Sequence, residues 1–128
     1  MDNLEEFNVS ISVSTMQGEA VSSGKFIHQV DEFKSYDKGL VINAGDTENW
    51  AFDIADYSTL ITGYNCYIEC GKSCVIKAGH GSTIKTSGRA VVIKDNIRQS
   101  TYAFDSPIKI RLDNSTLGYE LINNAILK

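Results

Sequence analysis

Five consecutive eight-residue units at residues 55–94 constrain the fold more than any other feature of this chain. The first and fourth residues of every unit are small, and the sixth is always aliphatic. The sixth column contains Leu60, Ile68, Ile76, Ile84 and Val92. Because side chains alternate across an extended chain, positions four, six and eight share one side of a strand, and positions five and seven face the other side.

A short repeat with one strand-length run per unit predicts a β-solenoid, in which stacked coils bury together what no single unit can bury alone. Two units are expected to form one coil, so the repeat amounts to about two and a half coils and needs caps on both sides. We expect the small first residues to be the corners, where the backbone turns tightly or has a positive φ. These residues are Ala55, Gly63, Gly71, Gly79 and Ser87.

The unit at residues 79–86, Gly-His-Gly-Ser-Thr-Ile-Lys-Thr, resembles the octapeptide Gly-x-Gly-Ser-Thr-x-Thr-Ala of bacterial ice-nucleation proteins. It is equally similar to short copies of that repeat in bacterial and phage proteins. The resemblance implies a solenoid architecture. Ice binding, which the family name implies, requires a long flat array of Thr, whereas the outward columns here contain Tyr67, Glu69, Lys77 and Lys85.

The segments before the repeat are expected to form an N-terminal hairpin and a capping unit. An alternating run, a turn and a second apolar run predict a β-hairpin over residues 7–30. Residues 31–37 are polar, and Asp31 is expected to cap one helical turn there. Residues 40–42 form a strand, and residues 47–54 form a cap whose inward side chains, too large for the narrow interior, pack against the hairpin. Those side chains are Trp50, Phe52 and Ile54.

After the repeat, three strands separated by turns are predicted to cap the other end. They cover residues 102–104, 108–112 and 119–122, after a loop at residues 95–101. The predicted fold is therefore all-β, in one domain over residues 1–128. Its parts are the N-terminal hairpin and cap (1–54), the octapeptide-repeat solenoid (55–94) and the C-terminal strand cap (95–128).

Composition and the start of the chain predict a cytoplasmic protein. No apolar run reaches the length of a membrane span, and the first residues are acidic where a signal peptide would be basic. The three cysteines, Cys66, Cys70 and Cys74, could suggest a metal by their spacing, but no Cys-x-x-Cys or nearby His completes a ligand set. We interpret them as small interior side chains, and we expect no metal and no cofactor.

Charge is distributed unevenly along the chain. Residues 1–69 contain twelve acids and three bases, a balance of −9, and residues 70–128 contain four acids and nine bases, a balance of +5. Seven carboxylates lie within residues 31–56. They are either a solvated surface or an acidic face that binds a basic partner, with exposed tyrosines as anchors. The candidate binding residues are Asp31, Glu32, Asp37, Asp46, Glu48, Asp53, Asp56, Tyr57 and Tyr64.

Catalytic signals are weak, so an enzyme is not expected. The sequence identifies no partner nucleophile and no metal site for His28 or His80, so both are interpreted as surface residues. The Gly-Lys-Ser at residues 71–73 lacks the rest of a phosphate loop. Lys77 and Lys85 share a column with Glu69, but the charges are too few and lack the interleaved aromatic residues of a nucleic-acid site.

Two functions are compatible with this sequence. The first is a non-enzymatic binding protein, encoded by a phage and similar to anti-CRISPR proteins. It would place an acidic, DNA-mimicking face on the basic nucleic-acid-binding surface of a host protein, in the host cytoplasm. The second is a structural or assembly module of a phage or bacterial surface. Neither hypothesis involves direct nucleic-acid or membrane binding, and both allow a monomer or a small homo-oligomer.

Overall fold

The computed structural model describes residues 11–21, 25–95 and 100–124. Within these residues the chain contains no helix, and stacked parallel strands form a β-solenoid of about 4 turns. This confirms the all-β solenoid that the repeat predicts.

The strands, numbered in chain order, form two sheets. Sheet A contains, in spatial order, β1 (Ser12–Thr15), β4 (Leu40–Ala44), β6 (Thr59–Thr62), β8 (Cys74–Gly79), β10 (Ala90–Asp95) and β11 (Ser100–Phe104). Sheet B contains β13 (Tyr119–Asn124), β12 (Ile108–Leu112), β9 (Thr83–Thr86), β7 (Tyr67–Cys70), β5 (Ala51–Ile54), β3 (Glu32–Ser35) and β2 (Phe26–Gln29). From β3 to β10 the chain alternates between the two sheets, one strand in each per coil.

One coil consists of two octapeptide units. Thr59 pairs in parallel with Val75, and Val75 pairs with Val91, so neighbouring strands of sheet A are sixteen residues apart. Sheet B repeats at the same interval, with Tyr67 paired to Thr83. The predicted coil length is therefore confirmed.

The solenoid begins earlier than the octapeptide repeat. β3 pairs in parallel with β5, and β4 pairs in parallel with β6, so these strands belong to the stack and extend it to about 4 turns. The predicted helical turn at residues 31–37 is wrong, because β3 occupies most of that segment. Its inward residues Phe33 and Ser35 are buried, and its charged side chains, Glu32 and Lys34, face outward. The number of coils predicted from the repeat alone is thus too small.

The predicted N-terminal hairpin is confirmed at its turn but not in the pairing of its outer part. Ser14 forms an antiparallel bridge with Ala20, and the Thr15 and Val21 N–H groups donate to the carbonyls of Glu19 and Val13. β1 otherwise pairs with β4 in sheet A, and β2 pairs with β3 in sheet B instead of with β1. The first coil presents an open edge on each sheet, and separate strands cover the two edges. An N-terminal hairpin is present as β2–β3. Residues 7–10 and 22–24 of the predicted hairpin lie outside the described residues.

The three predicted C-terminal strands are present and close the other end. β11 is antiparallel to β10, β12 is antiparallel to β9, and β13 is antiparallel to β12. Residues 96–99 of the predicted loop lie outside the described residues. Of the rest of that loop, Asp95 ends β10, and residues 100 and 101 belong to β11.

The interior is narrow and follows the predicted columns. The five aliphatic residues of column six are fully buried, and Cys66, Cys70 and Cys74 are buried free thiols, as expected of interior fillers. Lys94 is an exception to the small residues of the eighth column, because its side chain is long and charged. It nevertheless occupies an inward position and is only 4% exposed. Its ammonium donates to the backbone carbonyl of Asp113 and, at 3.4 Å, to Asn114 Oδ1, so its charge reaches polar groups at the end of the stack.

Large aromatic side chains close the N-terminal end, as predicted. Phe33 stacks on Phe26 with ring centroids 5.2 Å apart, and it lies 6.0 Å from Phe52. Trp50 lies 6.1 Å from Phe52 and 5.5 Å from His28 of β2. The β2–β3 hairpin therefore supplies the surface on which the aromatic residues of the first coils pack.

The corners follow a different rule from the one expected. Positive φ angles occur at the third position of the unit, for example 58° at Asn65, and not at the small first position. At Gly63 a Cβ atom would lie 2.1 Å from the carbonyl oxygen of Thr47, and at Gly71 it would lie 1.8 Å from Asp56 Oδ1. The first position is small because the neighbouring coil passes too close for a side chain.

Candidate interaction surfaces

The alternation of sheets gives the solenoid two edges and two outer faces. One edge contains the corners that lead from sheet A to sheet B, and the opposite edge contains the corners that lead back. The nine predicted binding residues are distributed over both edges and over the outer face of sheet B. They do not form one continuous surface, because neighbouring corners in the sequence lie at opposite ends of the strands.

The first edge collects carboxylates, and we call it the acidic edge. Asp31, Asp46, Glu48 and Asp113 lie there, in the turns that precede β3 and β5 and follow β12. The turn containing Asp31 adjoins the next coil, because the Asp31 carbonyl accepts a hydrogen bond of 2.9 Å from the Ala51 N–H. Among the described corner residues of this edge, none is Lys or Arg. Asp113 was missed by sequence reasoning because it lies outside the acidic stretch and reaches this edge only through strand reversal.

Tyr64 lies on the acidic edge and is 50% exposed. Its carbonyl accepts a hydrogen bond of 3.2 Å from the Asn49 N–H, so it lies in the coil after Asp46 and Glu48. Its ring covers Gly79, where an added Cβ would lie 2.6 Å from Cδ1. The structure therefore brings Tyr64 together with three of the predicted acidic residues.

The opposite edge contains Asp37, Asp56 and Tyr57, which are surrounded by bases. Asp37 forms an ion pair of 3.1 Å with Lys25. The Asp56 carboxylate accepts a hydrogen bond of 2.9 Å from the backbone N–H of Lys72, and the Lys72 ammonium lies 6.0 Å from the centroid of the Tyr57 ring. These side chains stabilise the corners, so their charges already interact with other groups of the same molecule.

The remaining predicted residues, Glu32 and Asp53, lie on the outer face of sheet B. They line a groove of about 340 Å³, whose floor includes Ala51 and whose far side is formed by Tyr67 and Glu69. Sequence reasoning missed this groove, because Ala51 is aligned with Glu32 and Tyr67 only through the pairing of β5 with β3 and β7, and the sequence predicts no strand at β3.

Charges of both signs run across the outer face of sheet B. Lys34, Asp53, Glu69, Lys85 and Lys109 follow one another on adjacent strands. The placement of Glu69 and Lys85 on this sheet agrees with the two-unit coil, which also places Lys77 on sheet A. The column of bases seen in the sequence is therefore divided between two faces.

The outer face of sheet A is mostly aliphatic. One outward column contains Val41, Thr59, Val75 and Val91, and the other contains Ile61 and Ile93 on either side of Lys77. All of these side chains are half-buried. Alternate units belong to different sheets. Listing the outward residues of odd and even units separately would therefore have separated this apolar face from the charged one in the sequence.

One histidine and two neighbouring cysteines have shifted pKa values, and the hydrogen bond with Cys70 lowers the pKa of the Cys74 thiol. His28 is half-buried against Trp50 and Phe33 rather than on the surface as predicted, and burial lowers its pKa. A hydrogen bond with the Cys74 thiol, together with burial, raises the pKa of the Cys70 thiol. In the part of the chain that the structure describes, no three His, Cys, Asp or Glu side chains are grouped to hold a metal ion, and no helix could cross a membrane.

Comparison with known proteins gives no relative for this chain. No family model matches the sequence, and neither the curated proteins nor the solved structures contain a significant match.

Proposed function

We propose that this chain is a non-enzymatic binding protein that places its acidic edge on a basic, nucleic-acid-binding surface of another protein. The observation that carries the proposal is the grouping of Asp31, Asp46 and Glu48 on one edge whose described corners contain no Lys or Arg. Asp113 lies on the same edge, but the Lys94 ammonium donates to its backbone carbonyl and offsets its charge. A phage-encoded inhibitor of a host defence complex, similar in strategy to an anti-CRISPR protein, is the biological role that we favour.

The geometry of a solenoid suits this role because successive coils repeat at the strand spacing of about 4.8 Å. Asp31, Asp46 and Glu48 therefore lie in neighbouring coils, and Asp113 lies on the same edge roughly 20 Å from Asp31 along the stack, beyond the corners that contain Tyr64 and His80. Charges of one sign in a row add their potentials, which raises the association rate with a partner of opposite charge. A groove built to hold a nucleic-acid backbone presents such a complementary row of bases.

Tyr64 would supply the apolar anchor of this interface. It is half-exposed in the coil next to Asp46 and Glu48, and Gly79 supports its ring from below. Tyr contributes contact area at a low entropic cost, and interfaces are enriched in it for that reason. The carboxylates would then orient the partner while Tyr64 stabilises the complex.

A structural or assembly module is the second candidate, supported by the flat aliphatic outer face of sheet A. Stacking through the ends of the solenoid is disfavoured, since antiparallel strands cover both ends. Ice binding ranks lower despite the octapeptide resemblance, because the central outward column of sheet A contains Val41, Val75 and Val91 with only Thr59 among them.

The test is capture of bacterial proteins by the tagged chain at low and at high salt. We expect salt to weaken capture of one nucleic-acid-binding complex, because salt screens exposed charges, and excess duplex DNA to displace it. The double variant Asp46→Lys/Glu48→Lys should lose about tenfold or more in affinity for that complex.

The matched control is Glu19→Lys/Asp105→Lys, which makes the same charge change at the opposite edge, where both residues are exposed. This variant should retain the captured complex. Equal capture by both double variants, or capture that DNA does not displace, would exclude the acidic-edge mechanism.

A further inference from the structure

The groove on the outer face of sheet B owes its shape to one small residue. Glu32, Ala51 and Tyr67 are aligned in one outward column on the adjacent strands β3, β5 and β7. Because Ala51 ends at Cβ, the two longer side chains stand on either side of a gap two strand spacings wide, about 9.6 Å. The gap accommodates a flat group that stands upright on the sheet.

The groove has an apolar floor and an acidic rim. Ala51 forms its floor between Glu32 and Tyr67, and Ile27 of β2 lines it beyond β3. Asp53, Glu69 and Lys34 complete the polar lining. Asp53 is paired with Lys34 at 3.6 Å. Among the described residues, no basic side chain lies within ion-pair distance of Glu32 or Glu69. Glu69 accepts a hydrogen bond of 3.4 Å from the Tyr67 hydroxyl, and both carboxylates retain oxygen atoms that can accept from a cation.

Lysines of the chain itself show the chemistry of this face. The Lys34 ammonium contacts Asp53, and the Lys109 ammonium lies 5.7 Å from the centroid of the Tyr67 ring. Lys109 belongs to β12, beyond β9, whereas the groove lies over β5 on the other side of Tyr67. Two groups of the groove, the Asp53 carboxylate and the Tyr67 ring, thus already attract lysine ammonium groups of the chain.

We propose that this groove binds one arginine side chain of the basic partner, which rests on the proposed function and names a specific contact for it. The guanidinium stacks on the Tyr67 ring, the methylene stem lies on Ala51, and the Glu32 and Glu69 carboxylates accept the N–H groups. Arginine fits better than lysine because its charged group is planar, stacks on aromatic rings and donates several hydrogen bonds in one plane. Three carboxylates and one ammonium, that of Lys34, line the groove, so its charge favours a cation over an anion.

The test uses single amino acids as probes, so it does not require the partner. The ¹⁵N-labelled protein is titrated with N-acetyl-arginine amide and with its neutral citrulline counterpart, and the amide resonances are followed. We expect saturable shifts at Ala51 and Tyr67 with arginine, no response to citrulline, and weaker binding of the lysine derivative.

Two variants of one column provide the control. Ala51→Leu fills the groove at an exposed position and should weaken arginine binding by about tenfold, a loss of about 1.4 kcal/mol. Thr83→Leu adds a similar side chain in the same column but outside the groove, and it should leave binding unchanged. The amide spectrum of each variant reports whether it is folded.

The outcomes separate this inference from the proposed function. Arginine shifts that persist in Ala51→Leu, or an equal response to citrulline, would overturn the groove as an arginine site. Equal binding of the lysine derivative would overturn the choice of arginine. Asp46→Lys/Glu48→Lys should retain arginine binding. If the capture experiments exclude a basic partner while the groove still binds arginine, only the proposed function is contradicted.

Discussion

At the scale of single residues, the size of one side chain decides whether neighbouring coils can stack. The φ angle of Gly63 does not lie in the left-handed region, yet a Cβ there would lie 2.1 Å from the Thr47 carbonyl oxygen. The positive φ angles belong instead to residues such as Asn65, whose short polar side chain tolerates that conformation. The first column is therefore small because of close packing, whereas the third column, which includes Tyr57 with a φ of 63°, is defined by backbone conformation and does not require small residues.

Gly63→Ala should therefore destabilise the fold, whereas Gly45→Ala should not. The first change forces a backbone shift between coils and should cost about 1–3 kcal/mol. At Gly45 the nearest atom would lie 3.6 Å from the new Cβ and the backbone is not left-handed, so Ala there should be neutral or stabilise by up to about 1 kcal/mol. Urea unfolding followed by the fluorescence of Trp50 measures both. Equal stability of the two variants would contradict the close-packing explanation.

At the scale of elements, each corner is held by contacts with the next coil. Asp56, one of the predicted binding residues, accepts a hydrogen bond from the Lys72 N–H and lies directly over Gly71. Its carboxylate therefore links the corner before β6 to the corner before β8. The structure suggests a role in stability for a residue that the charge pattern alone associates with a partner.

Asp56→Ala should lower the free energy of unfolding by about 0.5–1.5 kcal/mol, because it leaves the Lys72 N–H without its acceptor. Asp56→Asn retains the oxygen and should remain close to the parent protein. Asp37→Ala on the same edge removes only an exposed ion pair and should change stability by less than about 1 kcal/mol. Urea midpoints of the three variants make the comparison. A loss in Asp56→Asn as large as in Asp56→Ala would assign the effect to charge instead.

At the scale of the whole molecule, antiparallel strands end both sheets at both ends. β1 and β2 cover the first coil, and β11 and β12 cover the last one. An uncovered parallel edge would be a template for further strands, so the caps limit growth by end-to-end stacking.

The full chain should sediment as one species from low to high micromolar concentration and form no filaments in electron micrographs. A variant truncated after Asp95 exposes the edges of β9 and β10 and should associate with increasing concentration. Its circular dichroism spectrum shows whether the strands persist. Filaments formed by the full chain would support the assembly module instead of the binding protein.

The sequence by itself determined the repeating core. Column six, the interior cysteines, the two-unit coil and the C-terminal strands all follow from side-chain alternation, which is a local property of an extended chain. The packing of Trp50 and Phe52 against the N-terminal hairpin follows as well, although β5 lies within the stack between β3 and β7 and Phe52 is buried there, so their size does not exclude them from the interior. Local periodicity carries this information because every coil places the same column in the same environment.

Only the tertiary structure decided which charges lie together. Asp46 and Asp56 are close in sequence but occupy opposite edges, and Asp113 joins the first of them from the far end of the chain. The number of coils, the pairing of β1 and β2 and the groove over Ala51 likewise depend on which strand lies beside which. Strand neighbours are set by contacts between distant segments, and no local pattern in the sequence specifies them.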